Sequence, residues 1–219
     1  MTTIYEEKKR CGVCGSENKY TGIGSTNTFG SPDLDTRPPE MQRSTIYAWI
    51  QRCPDCGYCN SDVSKSRSDE PVIVKGADYQ SQLNDPAYPA LANSFLCKAI
   101  SDRAAGNFAD TTWDLIRAAW VCDDSGHAEQ AKTCRQMAAD MLELSQAHKQ
   151  KVAGEDRAQT AILVDLLRRG GQPERAQRML AKQAGEATQD VIERVLGFQG
   201  LLLERRDFSR HTIAEAVGK

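Results

Sequence analysis

Long apolar runs are missing from this chain. None approaches the ~20 residues needed to cross a bilayer, and Met1 to Arg10 holds no apolar stretch of the secretory-leader kind. A cytoplasmic location without membrane attachment is therefore expected. Charge of one sign is missing too. The 28 Lys and Arg and 30 Asp and Glu leave a net charge of −2, so no strong field draws the whole chain to nucleic acid or an anionic surface. Catalytic signatures are absent as well. None of His127, His148 and His211 stands in His-Glu-x-x-His, and no Gly-x-Ser-x-Gly or prominent carboxylate pair is present. Gly22-Ile-Gly24-Ser-Thr-Asn-Thr-Phe-Gly30 lacks the Gly-Lys-Ser/Thr ending of a phosphate loop and reads as a glycine-rich turn. Asp123-Asp-Ser-Gly126 lacks the spaced oxygen ligands of a calcium site and reads as a connection between helices.

What the chain does have is cysteine, eight of them. In a reducing compartment these point to metal ligation and plain burial rather than a disulfide framework. Two matched units carry the signal: Cys11-Gly-Val-Cys14-Gly15 and Cys53-Pro-Asp-Cys56-Gly57. Thiolates at this spacing supply two corners each of a tetrahedral zinc site. Glycine after the second cysteine tolerates the positive φ of the sharp turn. It also leaves backbone N–H groups pointing at the thiolates. The expected ligands are therefore Cys11, Cys14, Cys53 and Cys56, holding one structural Zn2+. Cys59 overlaps the second unit, and the alternative in which it replaces Cys56 stays open; Asn60 after it suits the turn less well. Reduced, metal-free cysteines and a redox Cys-x-x-Cys are the competing readings, the latter without the βαβ pattern that surrounds such motifs. Cys97, Cys122 and Cys134 lie among apolar residues and read as buried small hydrophobes.

An α+β fold follows: a small zinc-ribbon-like β domain over residues 1–80, with a transition segment, and then an all-α stack of helical hairpins over 85–219. Residues 1–10 read as a mobile polar lead-in. Residues 16–45 read as loops or very short strands. Ser44-Thr-Ile-Tyr-Ala-Trp-Ile-Gln-Arg52 alternates as a strand should, with Ile46, Ala48 and Ile50 on one face and Tyr47 and Trp49 on the other. So small a unit cannot bury enough apolar surface to fold unaided, and a metal would supply the deficit. Val72-Ile-Val74 reads as a brief strand, and 78–83 as a segment packing back on its neighbours. The boundary falls near 65–85.

Asp85-Pro86 signals a helix start. Helical spacing follows in Ala92, Phe95, Leu96, Ala99 and Ile100. Asn107 caps a second helix with the stripe Trp113, Ile116 and Trp120, and a third carries Met137, Met141 and Leu144. Further helices carry Ile162 to Leu167, Ala176 to Leu180 and Val191 to Leu203, with a short last one at Ile213 to Val217. The turns Gly106-Asn-Phe108, Gly171-Gln-Pro173 and Asp207-Phe-Ser209 stand near two multiples and one multiple of the roughly 34-residue tetratricopeptide period. Stacked hairpins resembling tetratricopeptide repeats, degenerate rather than regular, are expected, because no hairpin buries its own apolar stripe.

The paired knuckles, the aromatic stretch before Cys53-Pro-Asp-Cys56-Gly57-Tyr58 and the run from Phe198-Gln-Gly to Asp207 together resemble a bacterial family of uncharacterised proteins. The resemblance implies a zinc-ribbon-like N-terminal region, a tetratricopeptide-like helical region and no assigned reaction.

A four-thiolate zinc has no open position for a reactive water, so the expected function is a non-catalytic interaction or scaffold protein with a protein or peptide partner. One alternative is a zinc-ribbon nucleic-acid binder using Lys8, Lys9, Arg10, Lys19, Arg43 and Arg52, with Tyr47 or Trp49 stacking a base. Nearby acidic residues offset that basic edge. A second alternative is an enzyme with a site between the two domains. Arg168-Arg169 and Arg205-Arg206 read as solvated helix ends favoured by the dipole.

Overall fold

The computed structural model describes residues 1–182 and 190–218. Residues 183–189 and Lys219, inside the expected helical region, lie outside the described residues. The fold is α+β. Three two-stranded antiparallel sheets occupy the first 60 residues: β1 (Thr3–Arg10) with β2 (Glu17–Ser25), β3 (Thr28–Phe29) with β4 (Glu40–Met41), and β5 (Gln51–Arg52) with β6 (Cys59–Asn60). Helices follow: α1 (Glu70–Lys75), α2 (Ala77–Leu83), α3 (Ala90–Ala104), α4 (Phe108–Asp124), α5 (Ala128–Ala147), α6 (Asp156–Arg169), α7 (Pro173–Ala181), α8 (Val191–Glu204) and α9 (Ile213–Val217).

From α2 to α7 each helix packs on the next, and α8 packs on α6, α7 and α9. One turn geometry recurs at five helix ends. A residue with positive φ (Gly106, Gly126, Lys149, Gly171 or Arg206) is followed by one whose N–H reaches back into the last turn. These bonds run from Asn107 to Asp102 (2.9 Å), His127 to Cys122 (2.9 Å), Gln150 to Ser145 (2.8 Å), Gln172 to Leu167 (2.8 Å) and Asp207 to Leu202 (2.8 Å). This Schellman closure satisfies carbonyls that the helix leaves bare and reverses the chain in few residues. The five turns are unevenly spaced along the chain. The interior is apolar as the spacing requires: Phe95, Ile116, Leu142, Leu163 and Leu166 are all fully buried.

The core runs without a break from the β region into the helices. Residues 31–37 strap across the stack. Leu34 N–H bonds to His211 O (3.0 Å), and Ile213 N–H to Pro32 O (2.9 Å). Asp35 accepts from Trp120 Nε1 (2.8 Å) and from Arg169 Nη1 (3.1 Å).

Several local expectations need correction. Residues 3–10 are not a lead-in but β1, paired along its length with β2, which also absorbs Gly22 and Gly24. The alternating stretch 44–52 is not a strand. Arg43–Ala48 is a 3-10 turn, with Thr45 N–H bonded to Gln42 O (3.0 Å) and Trp49 N–H to Ile46 O (3.1 Å). With β2 already paired to β1, the backbone of 43–49 satisfies itself locally, and only Gln51–Arg52 pairs as strand. Ile46 and Ile50 are buried, but Ala48 between them is only half-buried and Thr45 and Gln51 are buried as well, so the period of two does not hold. Val72–Val74 belongs to α1, opened by Pro71 at its first turn. Helix α3 begins at Ala90 rather than Asp85, because the Asp85 side chain accepts from Ala87 N–H (2.9 Å) and closes a turn of its own. Asn107 precedes α4 without a capping side-chain bond. Arg168 and Arg169 are buried, not solvated. Arg168 donates to Asp165 (2.7 Å) and to Asp207 O (2.6 Å), and Arg169 to Asp123 (2.8 Å) and Asp35. Arg168 is neutralised within its own helix by Asp165, and Arg169 by the distant carboxylates of Asp35 and Asp123, which take in a cation the helix end alone would have left in water.

Candidate metal centre

Cys11 and Cys14 close the tip between β1 and β2; Cys53 and Cys56 close the tip between β5 and β6. The two tips share one backbone design. Cys11 N–H bonds to Ser16 O (2.8 Å) and Gly15 N–H to Cys11 O (2.9 Å). In the second tip Cys53 N–H bonds to Tyr58 O (2.8 Å) and Gly57 N–H to Cys53 O (2.9 Å). Gly15 at φ +77° and Gly57 at φ +78° occupy the left-handed region that side chains resist. The tips meet crosswise: Cys11 Sγ lies 3.7 Å from Cys56 Sγ, and Cys14 Sγ 3.6 Å from Cys53 Sγ. All four sulfurs lie within 4.8 Å of one another, and this group could hold a metal ion.

The N–H groups that serve the thiolates come from knuckle residues other than the glycine and, at Cys56, from the residue after the glycine. Val13 and Cys14 bond Cys11, Asp55 and Cys56 bond Cys53, and Tyr58 bonds Cys56. Burial pushes the Cys11 and Cys56 thiols up, Cys56 strongly. At Cys53 burial works in the same direction but is outweighed by hydrogen bonds from Ser16, Cys56, Asp55 and Cys14, which hold that thiol down at about 6. Ser16 Oγ sits 3.1 Å from Cys14 Sγ and 3.4 Å from Cys53 Sγ, across the join of the two knuckles. The Tyr20 hydroxyl is buried beside Cys53 without a well-formed hydrogen bond, and burial, then the charges of Cys53 and Cys11, keep it protonated. Ser16 and Tyr20 are neighbours of the cluster that sequence reasoning missed. The signal available was their position just after the first knuckle, Ser16 next to its glycine and Tyr20 on β2.

Cys59 is not part of the group. Its Sγ–H donates to Gly57 O (3.2 Å), and the thiol lies against Cys97 and Tyr79 in the core. Cys97, Cys122 and Cys134 are buried, with Cys122 beside Cys134. Half of the basic edge considered for nucleic acid, three residues of six, is paired with carboxylates. Lys9 bonds Glu7 (2.9 Å) and Asp62 (3.1 Å), Lys19 bonds Glu6 (3.3 Å), and Arg43 bonds Asp33 (2.7 Å). The three histidines do not come together with the cysteines or with one another in any metal-holding group among the described residues.

No family model matches the chain, and neither curated proteins nor solved structures show a match to it. No helix among the described residues is long and apolar enough to cross a membrane.

Proposed function

We propose that this chain is a non-catalytic interaction protein. A structural Zn2+ held by Cys11, Cys14, Cys53 and Cys56 staples a ribbon-like unit to a stack of hairpins of tetratricopeptide type, and the stack receives a protein or peptide partner. The observation that carries the zinc reading is the sulfur geometry. A tetrahedron with zinc–sulfur bonds of ~2.3 Å has edges of about 3.8 Å, and the two crosswise pairs lie at 3.7 and 3.6 Å. An all-thiolate set suits a soft or borderline cation. Such a cation also supplies the ionisation that burial denies Cys11 and Cys56. Four protein ligands fill the shell, so the ion holds chain together and activates nothing.

The partner reading is supported by a groove of about 330 Å³ between α3, α4 and α5. Its floor includes Leu96, Leu115, Met141 and Leu144, Met137 is exposed beside them, and Arg103 and Asp140 stand at its edge. An apolar floor with a charged edge is the pattern a docked helix or peptide requires, and methionine adapts its shape to the occupant. The experiment is a photo-crosslinker at position 137, used with a cell extract and followed by mapping of the attached residues. Crosslinks to one partner segment, lost when Arg103→Glu at the exposed edge of the groove is added without change in Tm, are the expected result. Crosslinks confined to the chain's own segments would overturn the reading.

A further inference from the structure

A second depression, of about 420 Å³, lies where the strap and the 3-10 turn meet α4. Its walls take in Pro38, Pro39, Trp49, Trp113, Arg117 and Trp120, and these include all three tryptophans of the chain. Each indole N–H is already committed elsewhere: Trp49 to Thr45 Oγ1 (2.9 Å), Trp113 to Val152 O (3.0 Å) and Trp120 to Asp35 Oδ2 (2.8 Å). The tryptophans therefore offer an occupant indole carbon, beside prolyl rings and the uncharged polar side chains of Thr28, Thr36 and Gln42. Trp49 and Trp120 meet edge-on, ring centroids 6.5 Å apart at 80°. An inserted flat ring can therefore lie on one indole and meet the edge of the other.

The charge on the wall decides what such a ring carries. Arg117 is the only charged lining residue, and no carboxylate lines the depression. Arg117 is about one-third exposed and gives Nη1 to Asp114 (3.0 Å), which leaves other donors of its fork for a ligand. A quaternary ammonium would find aromatic walls but an adjacent cation and no lining countercharge, so the aromatic-cage use of such a site is disfavoured. We propose that this depression is a binding site for a small planar aromatic anion. The ring packs on the half-buried Trp49 and Trp113, with the buried Trp120 behind them, and the carboxylate or phosphate of the ligand is met by Arg117.

The chain makes its own probe, because its three indole N–H signals all report on this one site. Titration of the 15N-labelled full-length protein with 2-naphthoate is expected to shift all three in a saturable way. Neutral 2-naphthamide is expected to bind about fivefold more weakly, the size of one partly solvated charge-assisted contact. In Arg117→Gln, where Lys98 still holds Asp114 at 2.8 Å, naphthoate affinity should fall to that of the amide while the amide is unchanged. Adenosine monophosphate in a parallel titration separates a phosphate-bearing ligand from a carboxylate-bearing one. Equal affinity for naphthoate and naphthamide would overturn the proposal. So would tighter binding of 2-naphthylmethylammonium, shifts produced only by a decaproline peptide, or no saturable shift with any aromatic anion at millimolar concentration. If Arg117→Gln does not fold, the naphthoate-to-naphthamide ratio in the unaltered protein decides the matter alone.

Discussion

The two knuckles are near copies in backbone and opposites in surroundings. Each has the same pair of closing hydrogen bonds and the same left-handed glycine. The first stands at the tip of an exposed hairpin: β1 is open to solvent along most of its length, and a Cβ added to Gly15 would meet nothing within 4 Å. The second is set into the helical body. Tyr58 and Cys59 are buried, the Tyr79 hydroxyl on α2 receives the Cys59 N–H (2.9 Å), and a Cβ on Gly57 would lie 2.3 Å from Leu83 Cδ2. A shared local motif therefore does two jobs. One knuckle is anchored by packing, and the other is held to it by sulfur, by Ser66 Oγ on Gly12 O (2.8 Å) and by a few neighbouring bonds. On this account the ion fastens the hairpin to a body that does not need it.

Ligand removal breaks the comparison most severely. Cys53→Ser places a hydroxyl at a fully buried corner and should destabilise the zinc-loaded protein by about 4 kcal/mol. Cys14→Ser lies at an exposed corner where water can complete the shell, and about half that loss is expected. Paired chemical denaturation curves check the ordering, and equal losses would remove the asymmetry. Alanine at the two glycines sharpens it. Gly15→Ala should cost only the left-handed backbone penalty, about 1 kcal/mol. Gly57→Ala adds the collision with Leu83, for a total of about 3 kcal/mol. The Leu83→Ala background should return part of the second cost and none of the first, measured as a double-mutant cycle.

Smaller effects are expected where the residue after the glycine differs. In the second knuckle it is Tyr58, whose hydroxyl lies 2.7 Å from buried Glu70 Oε2 and 2.7 Å from Lys65 O. Tyr58→Phe takes a partner from a buried carboxylate and should lower stability by about 1.5 kcal/mol in urea unfolding. In the first knuckle the equivalent residue is Ser16, which touches two sulfurs. Ser16→Ala should leave the unfolding midpoint of the metal-free protein unchanged while weakening zinc affinity roughly tenfold in a competition titration. If Ser16→Ala instead changes only the unfolding midpoint, the serine acts as packing.

The sequence carried the cysteine set well because the chemistry is local: cysteine spacing and the glycine after it determine the knuckle whatever surrounds it. It carried the helices from α3 onward through their 3.6-residue period, and three of the five recurring turns through their residue types, but not α1 and α2. The turns at Gly126, where the sequence read a break, and at Lys149 escaped as members of the series, and at Lys149 a side-chain-bearing residue takes the left-handed conformation. The stretch 44–52 misled because an alternation of large residues fits a 3-10 turn with one buried flank as well as a strand, and strand pairing depends on which partner is free. Arg169 misled for a related reason, since Asp35 and Asp123 reach it from other parts of the chain. The tryptophan site was invisible in the same way. Trp49 and Trp120 read as members of separate stripes, and they meet only because the 3-10 turn folds onto α4.

Amide hydrogen exchange on the zinc-loaded protein, before and after chelation, tests the central claim most directly. The account predicts that withdrawal of one zinc per chain strips protection from residues 3–25 while α3 to α6 exchange as slowly as before. Unchanged protection of the hairpin, or its loss throughout the helices at the same time, would contradict it.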